Sequence, residues 1–436
     1  MNYKKLIPNI NFYTLKMYLS HNKLLNLDYS DVKRYWKPNK YYYTLKDKDH
    51  INHDITIPEV QKNIVYTKKV RIYPTFKQKE LFNKFIGANR HFFNKTNDYI
   101  KNNPDDKRRF DHKYMRLKML HDHTHDWYDE IPYDTKSLAV QQCTAAYKSA
   151  LTNLRNGNID HFDIGFLNKK QTNQVFYVDT GAYNFKKSYI FSRRLKDDKS
   201  LRTKEPIDKT KCSNLAILKT KPGKWFICIP NKKDSNYLES DHEHVFIDPG
   251  SRTFLTCYNP KSGYLKLGDG FANQELMPLG KKVDKLQSVR SKAKGRKRRN
   301  LNLKMAKIRN HMKNKVIDLH RKCCNYLTTT YQNIYLPYLD TIQISDTVER
   351  NISSKAVRNI MSLSHGAFRV RLEHVVKTKQ RNLFYVPESY TTKTCPCCGS
   401  ENEIGAATKH VCKCGYSGDR DETAALNICI STLCLC

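Results

Sequence analysis

Three acidic residues stand where an apolar segment meets a turn, and side chains of this type bind divalent cations. Asp248 ends the run VFID before Pro-Gly, Glu388 ends LFYVPE, and Asp421 opens the apolar stretch DETAALNICI. Carboxylates at adjacent strand ends and at a helix start can converge on one point. Two Mg²⁺ or Mn²⁺ ions in such a cluster would activate water and stabilise the leaving oxygen in phosphodiester hydrolysis.

Each of these acids also has a purely structural interpretation. Asp421 could cap its helix, Asp248 could begin a turn, and Glu388 could simply be solvated. Their joint position around a predicted strand meander, a basic helix and a cysteine-rich segment favours the catalytic interpretation.

The cysteine-rich segment has the spacing of a zinc site. TCPCCG (394–399) and VCKCG (411–415) are short knuckles, each followed by a turn-forming Gly. Such clustering is typical of metal ligation in a reducing compartment, and four thiolates suit tetrahedral Zn²⁺. Because the second knuckle is C-x-C rather than C-x-x-C, His410 or Cys397 stays open as a substitute. We assign one structural zinc ion to Cys395, Cys398, Cys412 and Cys414.

The charge of the chain indicates a polyanionic partner. It has 78 Lys and Arg against 42 Asp and Glu, a net charge of +36, and nucleic acid is the commonest partner of such proteins. Residues 281–322 hold 17 basic and two acidic residues, so 17 − 2 gives +15. A solvated face would tolerate Glu, so we predict a helix or helical hairpin lying on phosphate. Its basic stripe is Lys292, Lys294, Arg296, Lys297, Arg298 and Arg299.

Other classes of protein fit the sequence poorly. No apolar run approaches the roughly 18 residues of a membrane span. The first residues lack the continuous apolar stretch of a signal peptide. We therefore expect an intracellular protein with no membrane partner.

The elements that must position these residues follow from hydrophobic periodicity. We predict a strand over 64–73, helices over 77–101 and 135–155, and further strands within 173–230. From 244 onward, HVFID, TFLTCY and GYLKLG indicate an antiparallel meander. A strand over 333–344, a helix over 353–379, a strand over 382–388 and a last helix from 421 complete a mixed α/β fold.

Six segments resemble, in order, the TnpB (OrfB) proteins, which are transposon-encoded RNA-guided nucleases, and their eukaryotic and large-virus relatives, the Fanzor proteins. The resemblance covers roughly residues 64–430 and is nearest to the Fanzor type. The segments are KKVRIYPTFKQ (68–78), GANRHFFN (87–94), IPYDTKSLAVQ (131–141), IDPG (247–250), ESYTTKTCPCCG (388–399) and CGYSGDRDETAALNI (414–428).

This resemblance implies a domain organisation. A RuvC-type RNase H-like nuclease domain would comprise 241–389 and 419–436, with a zinc ribbon inserted at 390–418. A β-barrel wedge domain at 61–76 and 166–240 would be interrupted by a helical recognition domain at 77–165. Residues 1–60 would form a polar N-terminal extension.

The resemblance also carries the catalytic roles onto Asp248 and Asp421. Bacterial relatives keep the middle glutamate at the end of the central strand, where this chain has IYLPYL (334–339) without an acid. Glu388, just before Y-T-x-K-T-C, matches the relocated position of Fanzor proteins. Asp340 and Glu349 are weaker candidates. Thr423 stands where the family usually has Asn.

The implied activity is Mg²⁺-dependent DNA cleavage directed by a guide RNA of the omega RNA type. The protein would act as a monomeric ribonucleoprotein on double-stranded target DNA beside a short flanking motif, in a nucleus or a viral replication compartment. One alternative is a RuvC-like nuclease that needs no guide, and another is a non-catalytic zinc-ribbon regulator of transposition. Residues of the opening segment would contact the flanking motif and the DNA backbone: Lys68, Lys69, Arg71, Tyr73, Gln78, Arg90 and Asn94. Tyr73 could instead belong to the core.

Overall fold

The computed structural model describes residues 64–121, 125–208, 214–237, 240–338, 353–386, 391–405 and 407–434. The polar extension at 1–60 lies outside the described residues. The chain forms two compact units, a first unit at Asn63–Lys233 and a second unit that contains Asp234–Cys436. Both units combine helices and strands, so the predicted mixed α/β class is confirmed. No helix in the described ranges is long and apolar enough to cross a membrane.

The first unit contains an antiparallel sheet, two long helices and a shorter one. The sheet order is β1-β6-β5-β2, and Ser192–Leu195 adds a single helical turn. The barrel and the domain boundaries implied by the resemblance stay predictions. The elements are β1 (Ile64–Ile72), α1 (Phe76–Asn102), α2 (His112–Leu120), α3 (Tyr133–Arg155), β2 (Asn173–Asp179), β3 (Tyr183–Asn184), β4 (Tyr189–Ile190), β5 (Asn214–Thr220) and β6 (Trp225–Lys233).

Helix α1 forms where the sequence predicts it, because both its start and its buried face are encoded locally. Thr75 caps the helix and makes a reciprocal capping box with Gln78. Phe82 lies 5.6 Å from the rings of both Phe176 and Trp225, which anchors the helix on the inner face of the sheet.

The second unit is built on a five-stranded mixed sheet of order β11-β10-β7-β8-β9. Strand β10 runs parallel to both β7 and β11, while β7, β8 and β9 are antiparallel. The elements are β7 (His242–Pro249), β8 (Thr253–Asn259), β9 (Gly263–Asp269), α4 (Met277–Ser291), α5 (Gly295–Thr330), β10 (Tyr331–Pro337), α6 (Ser354–Leu363), α7 (His365–Lys379), β11 (Asn382–Val386), β12 (Lys409–Val411), β13 (Ser417–Asp419) and α8 (Arg420–Cys434); a π-helical turn, Ala272–Leu276, leads into α4.

Helices cover both faces of this sheet, and the alternation of β7 decides which residues each face receives. Val245 and Ile247 pack in one cluster with residues of α5 and α7, such as Phe368. Phe246 packs in another cluster with α8. Asp248 has the same parity as Phe246, so it points to the α8 face.

Two helical predictions are refined by the structure. The basic region at 281–322 takes the hairpin form, because α4 ends at Ser291 and α5 begins at Gly295. The single helix predicted over 353–379 is wrong. Ser364 adopts a left-handed backbone at φ 55° and separates α6 from α7. Hydrophobic spacing continues across this one residue, so periodicity gave no sign of the break. The strand predicted over 333–344 corresponds to β10, which ends at Pro337; residues 339–344 lie outside the described residues.

Candidate functional site

Asp248 lies at the carboxyl end of β7, opposite Thr256 of β8, and is half-buried. Parallel strands bring their carboxyl ends to the same edge of a sheet, so the ends of β7, β10 and β11 share one edge. Active sites of mixed and parallel sheets commonly lie at such an edge. The first predicted acid therefore stands in a suitable place for catalysis.

Asp421 lies in the first turn of α8 and is tied to the turn that follows Asp248. The Arg252 guanidinium donates from Nη2 to the Asp421 carboxylate at 2.8 Å, and the Asp421 side chain is 14% exposed. Arg252 follows Asp248 by only four residues. Ala425, which is one helical turn after Asp421, is buried in the cluster with Phe246 of β7. The two aspartates therefore lie on the same face of the sheet.

Asp419, rather than Asp421, caps α8. Its Oδ1 accepts hydrogen bonds from the backbone amides of Asp421 at 2.9 Å and Glu422 at 3.1 Å. Burial favours a higher pKa for Asp419, but the hydrogen bond from Lys266 and those amides outweigh burial and lower the pKa. The capping role considered for Asp421 thus belongs to Asp419. An Asp just before a helix is a known capping signal, so the sequence could have indicated it.

The candidates for the middle acid, Glu388, Asp340 and Glu349, lie outside the described residues. Strand β11 ends at Val386, which pairs with Pro337 of β10 at the edge described above. Glu388 follows Val386 by two residues in the chain. Its part in the cluster stays a prediction.

The four predicted zinc ligands converge. The Sγ atoms of Cys395, Cys398, Cys412 and Cys414 all lie within 4.8 Å of one another, and within the described ranges this is the one group of three or more metal-binding side chains. Gly399 and Gly415 have φ of 72° and 91°, which lets each knuckle turn back sharply. A four-thiolate cluster of this size could bind zinc, with no position left open for water.

The pKa values of two thiols in this cluster are shifted in opposite directions. Burial would raise the pKa of Cys412, but hydrogen bonds from the Cys414 amide and from Ser400 outweigh it and lower the pKa to about 6. Burial raises the pKa of the Cys395 thiol. Metal binding at this cluster must therefore release protons.

The two substitute ligands are engaged elsewhere. His410 is fully buried, with one ring nitrogen 3.3 Å from Asn402 and the other 3.3 Å from the Thr392 carbonyl. Cys397 packs against the hydrophobic cluster of β7 and α8. Neither side chain belongs to the four-cysteine group.

A buried amide joins the cysteine cluster to α8. Asn427 Nδ2 donates to the backbone carbonyls of Thr391 at 2.7 Å and Thr394 at 2.6 Å. Asn427 is 1% exposed. It thereby holds the first knuckle against α8, which carries Asp421 in its first turn, and no local sequence pattern marks this role.

The basic stripe surrounds the tip of the α4–α5 hairpin. All six residues are exposed: Lys292, Lys294, Arg296, Lys297, Arg298 and Arg299. The first turn of α5 contains no acid, and Lys294 at its N-cap provides no side-chain cap. The free amides and the positive end of the helix dipole add to this charge, so the tip attracts phosphate.

The opening basic set divides into surface and internal residues. Lys69 and Arg71 lie over the Phe226 ring at 4.3 and 5.1 Å. Tyr73 is 40% exposed between Arg71 and Arg202, so the core alternative for Tyr73 is wrong.

Lys68 pairs with Glu205 at 3.9 Å and Asp208 at 3.7 Å, which leaves its charge partly neutralised.

Two members of that set serve the fold itself. Gln78 is fully buried, and its Nε2 donates to the carbonyls of Asp198 at 2.7 Å and Ser200 at 2.8 Å. Asn94 makes two hydrogen bonds with the backbone of Leu167. The prediction of Gln78 as a nucleic-acid contact needs correction, because its side chain is fully buried and paired inside the protein. Asn94 is half-buried, and its contact with nucleic acid stays a prediction.

Arg90 and Asn94 line an open cleft of about 490 Å³ on α1. Phe166, which is 50% exposed, and Lys95 lie in the same lining. A cation beside an exposed ring suits a nucleotide better than it suits an apolar ligand. Contact of Arg90 with nucleic acid therefore stays a prediction.

Two family models match the chain. The model described as the Cas12f1-like TNB domain matches residues 365–428, which run from α7 to the middle of α8. A helix-turn-helix domain model of the IS605 OrfB type matches residues 66–102. In this structure the latter segment is strand β1 followed by the single long helix α1.

Several curated viral proteins are similar in sequence. "Putative transposase A625R" of Paramecium bursaria Chlorella virus 1 is 27% identical over 86% of this chain and 88% of its own length. "TnpB-like protein L770" of Acanthamoeba polyphaga mimivirus is 25% identical over 84% of the chain and 72% of its own length. "Putative transposase R186" of the same virus is 35% identical, but the match spans only 43% of that protein and 47% of this chain.

Two solved structures show a distant overall likeness. A Cas12f1–sgRNA–target DNA complex aligns with 84% of this chain and 99% of its own at a TM-score of 0.47 and 12% identity. A mini-RNA-guided endonuclease, CRISPR-Cas_phi3, aligns with 99% of both chains at a TM-score of 0.45 and 11% identity.

Proposed function

From the membership of this chain in the TnpB (OrfB) family, we propose that it is an RNA-guided, Mg²⁺-dependent DNA endonuclease. The observation that carries the proposal is the link between Arg252 and Asp421. It joins the start of α8 to the turn after Asp248 and thus holds two widely separated aspartates on one face of the sheet. The fold alone would require no such convergence.

The second unit fits the RuvC-type RNase H-like domain that the resemblance implies. Three antiparallel strands are extended by two parallel strands, and helices cover both faces. The cysteine ribbon is inserted between β11 and α8. We extend this assignment to the nuclease, ribbon, wedge and recognition domains at the boundaries given above.

Asp248, Asp421 and Glu388 would hold the catalytic cations. Carboxylate oxygens are the ligands that Mg²⁺ and Mn²⁺ prefer, and when bound these ions supply an activated water and stabilise the leaving 3′ oxygen. Arg252 would orient the Asp421 carboxylate through its Oδ1 atom. Asp419 fixes the first turn of α8 through the amides of Asp421 and Glu422.

Zinc would act structurally in the ribbon. The ribbon lies in the sequence between Glu388 and Asp421, so a closed four-cysteine site would restrain the segment that separates these two acids. Asn427 would transmit this restraint to α8 through its two buried hydrogen bonds.

The basic stripe would contact phosphates of the guide–target duplex or of the guide scaffold. Such contacts position nucleic acid without reading its sequence. Lys69, Arg71 and Tyr73, with Arg90, would contact the flanking motif and backbone. The protein would work as a monomeric ribonucleoprotein inside a host nucleus or a viral replication compartment.

The central experiment compares Asp248→Ala with Asp318→Ala, which removes an exposed carboxylate from α5. Purified ribonucleoprotein is incubated with Mg²⁺ and double-stranded DNA that matches the guide. We expect Asp248→Ala to bind this DNA without cutting it, and the control to do both. Full cleavage by Asp248→Ala would refute the assignment.

The same assay distinguishes the remaining alternatives. If the Asp340→Ala variant does not cleave DNA and the Glu388→Ala variant does, Asp340 rather than Glu388 is the middle acid of the catalytic cluster. Cleavage by protein stripped of RNA would favour the guide-independent nuclease. The absence of cleavage in wild type with a bound discrete RNA and a matched target would favour the non-catalytic regulator.

A further inference from the structure

An arginine–tyrosine pair lies at the sheet edge that carries Asp248. Tyr338 directly follows β10 and is 59% exposed. The Arg369 guanidinium, from α7, lies 4.0 Å over the centre of its ring. The centre of the Tyr385 ring, on β11, lies 6.0 Å from the same guanidinium. Three elements of the second unit thus contribute to one small surface.

A small cavity connects this pair to the end of β7. Arg369, Pro337 and Pro249 all contribute to its lining, and Pro249 is the residue after Asp248. The cavity is about 20 Å³, roughly the space of one water molecule. The arginine therefore lies at the same edge of the sheet as Asp248, on the face that α7 covers.

The stacked geometry leaves both side chains able to bind a ligand. A guanidinium that lies on a ring uses its face, so its N–H groups at the edge stay available for a phosphate oxygen. Among the described residues, no acid forms an ion pair with Arg369. The exposed part of the Tyr338 ring offers a surface on which a base can stack.

The start of α7 adds a second observation. Ser364 provides no side-chain cap, and the first turn contains no acid. Within that turn His365 is 5% exposed and donates from Nε2 to the Gly250 carbonyl at 3.2 Å, while its Nδ1 has no partner. Gly366 is exposed with open space above its Cα. The start of α7 without a side-chain cap and the unpartnered acceptor Nδ1 of His365 indicate that a polar group able to donate a hydrogen bond, such as a water molecule, completes this end of the cavity.

We infer that Arg369 and Tyr338 bind the DNA strand to be cut, as a single strand, at the sheet edge that carries the nuclease centre. This inference rests on the proposed function. Arg369 holds a phosphate, and Tyr338 stacks with the adjoining base. The strand is single because the bases of a duplex are already stacked on one another and cannot cover the tyrosine ring.

The test uses the guide-loaded ribonucleoprotein and a single-stranded DNA with 2-aminopurine at successive positions around the cut. Base stacking on an aromatic ring contributes about 1–3 kcal/mol, so Tyr338→Ala should raise the half-saturating protein concentration roughly 5- to 150-fold. Stacking should also quench one 2-aminopurine position in the wild type and not in this variant. Tyr338→Phe should restore both. The maximal single-turnover rate should change little, since neither residue touches the reacting atoms.

Arg369→Gln should weaken binding and lower the slope of log affinity against log salt by about 1, as expected for one lost phosphate contact. Arg369→Lys should restore the salt slope. The matched control is Tyr237→Ala, which removes another exposed tyrosine that lies beneath an arginine in the same unit, Arg381. It should behave as wild type.

The possible outcomes separate this inference from the proposed function. If wild type cuts the DNA and the Tyr338 and Arg369 variants match it in quenching and half-saturation, the inference is wrong and the nuclease stands. If wild type quenches the probe through Tyr338 but never cuts, the binding site stands and the nuclease is wrong. Quenching of a probe in the guide RNA instead of the DNA would overturn the inference.

Discussion

The second unit should lose stability in mild acid because it buries neutral histidines. His320 is 1% exposed, donates from Nε2 to the Leu363 carbonyl and accepts at Nδ1 from Arg371. His320 and His365 both stack on the ring of Phe254, at 5.1 and 4.9 Å. Burial lowers the pKa of each imidazole from 6.5 to about 4. A positive charge on either would lie in the core between α5 and α7.

The size of the effect follows from proton linkage. Between pH 6.5 and pH 4 the unfolded chain binds a proton at each site that the folded chain does not, so stability falls as the pH falls. A shift from 6.5 to about 4 removes about 1.8 kcal/mol per histidine between pH 7 and pH 5. His244, whose pKa is also lowered to about 4 by burial, brings the loss for the unit to about 5 kcal/mol.

The perturbation is His320→Gln, which keeps a donor for Leu363 and an acceptor for Arg371 but cannot gain a proton. We expect its unfolding free energy to fall by about 1.8 kcal/mol less than that of wild type between pH 7 and pH 5. The assay is hydrogen exchange of α5 and α7 amides, corrected for the intrinsic pH dependence of exchange. His311→Gln, which changes an exposed histidine of the same helix, is the matched control and should keep the wild-type dependence.

Two results would refute this reasoning. If His320→Gln and wild type lose the same free energy, the buried imidazole does not link folding to pH. If the His311→Gln control shows the flatter dependence, exposed histidines determine the acid response and burial does not.

Three further predictions concern the ribbon and the basic stripe. Cys398→Ser should lower zinc content and cleavage together, measured by elemental analysis and by the DNA assay, whereas Cys228→Ser should change neither. Asn427→Asp should destabilise the second unit by about 2–4 kcal/mol at pH 7, because it replaces two buried donated hydrogen bonds by carboxylate–carbonyl repulsion. Hydrogen exchange of the α8 amides measures this effect, with Asn314→Asp as the control. Equal protection of these amides in the two variants would contradict the prediction. Replacement of the six stripe residues by Gln should weaken binding of every RNA and DNA sequence tested and flatten its salt dependence, and an unchanged salt slope would show that the stripe is only solvated surface.

Local patterns carried much of the fold. The spacing of Phe82, Phe85 and Phe92 is read within a few residues, and it predicted α1 to within one residue at each end. The meander β7–β8–β9 was equally plain, because short apolar runs joined by turn residues pair with their neighbours in sequence. The cysteine group was predicted from two knuckles, since ligand spacing in a small loop nearly fixes where the thiolates can point.

Spacing within a helix did not reveal the break at Ser364. That residue lies between two helices whose apolar positions continue in phase, so the pattern alone predicted one helix. Gln78 was also misjudged. Its amide is satisfied by the carbonyls of Asp198 and Ser200, which lie far away in the chain, and no local pattern records such a partner.

The sequence by itself determined the residue types: hard carboxylates for divalent cations, clustered thiols for zinc, and a one-sided excess of cations for nucleic acid. Only the tertiary structure decided which of them meet. Asp248 and Asp421 are 173 residues apart in the chain, and they share a face because β7 alternates, α8 packs on Phe246, and Arg252 reaches Asp421. The same structure gave the capping role to Asp419 and brought Arg369 over Tyr338. Each of these outcomes depends on which surfaces pack together, and that is set by burial summed over the whole unit rather than by any local run of residues.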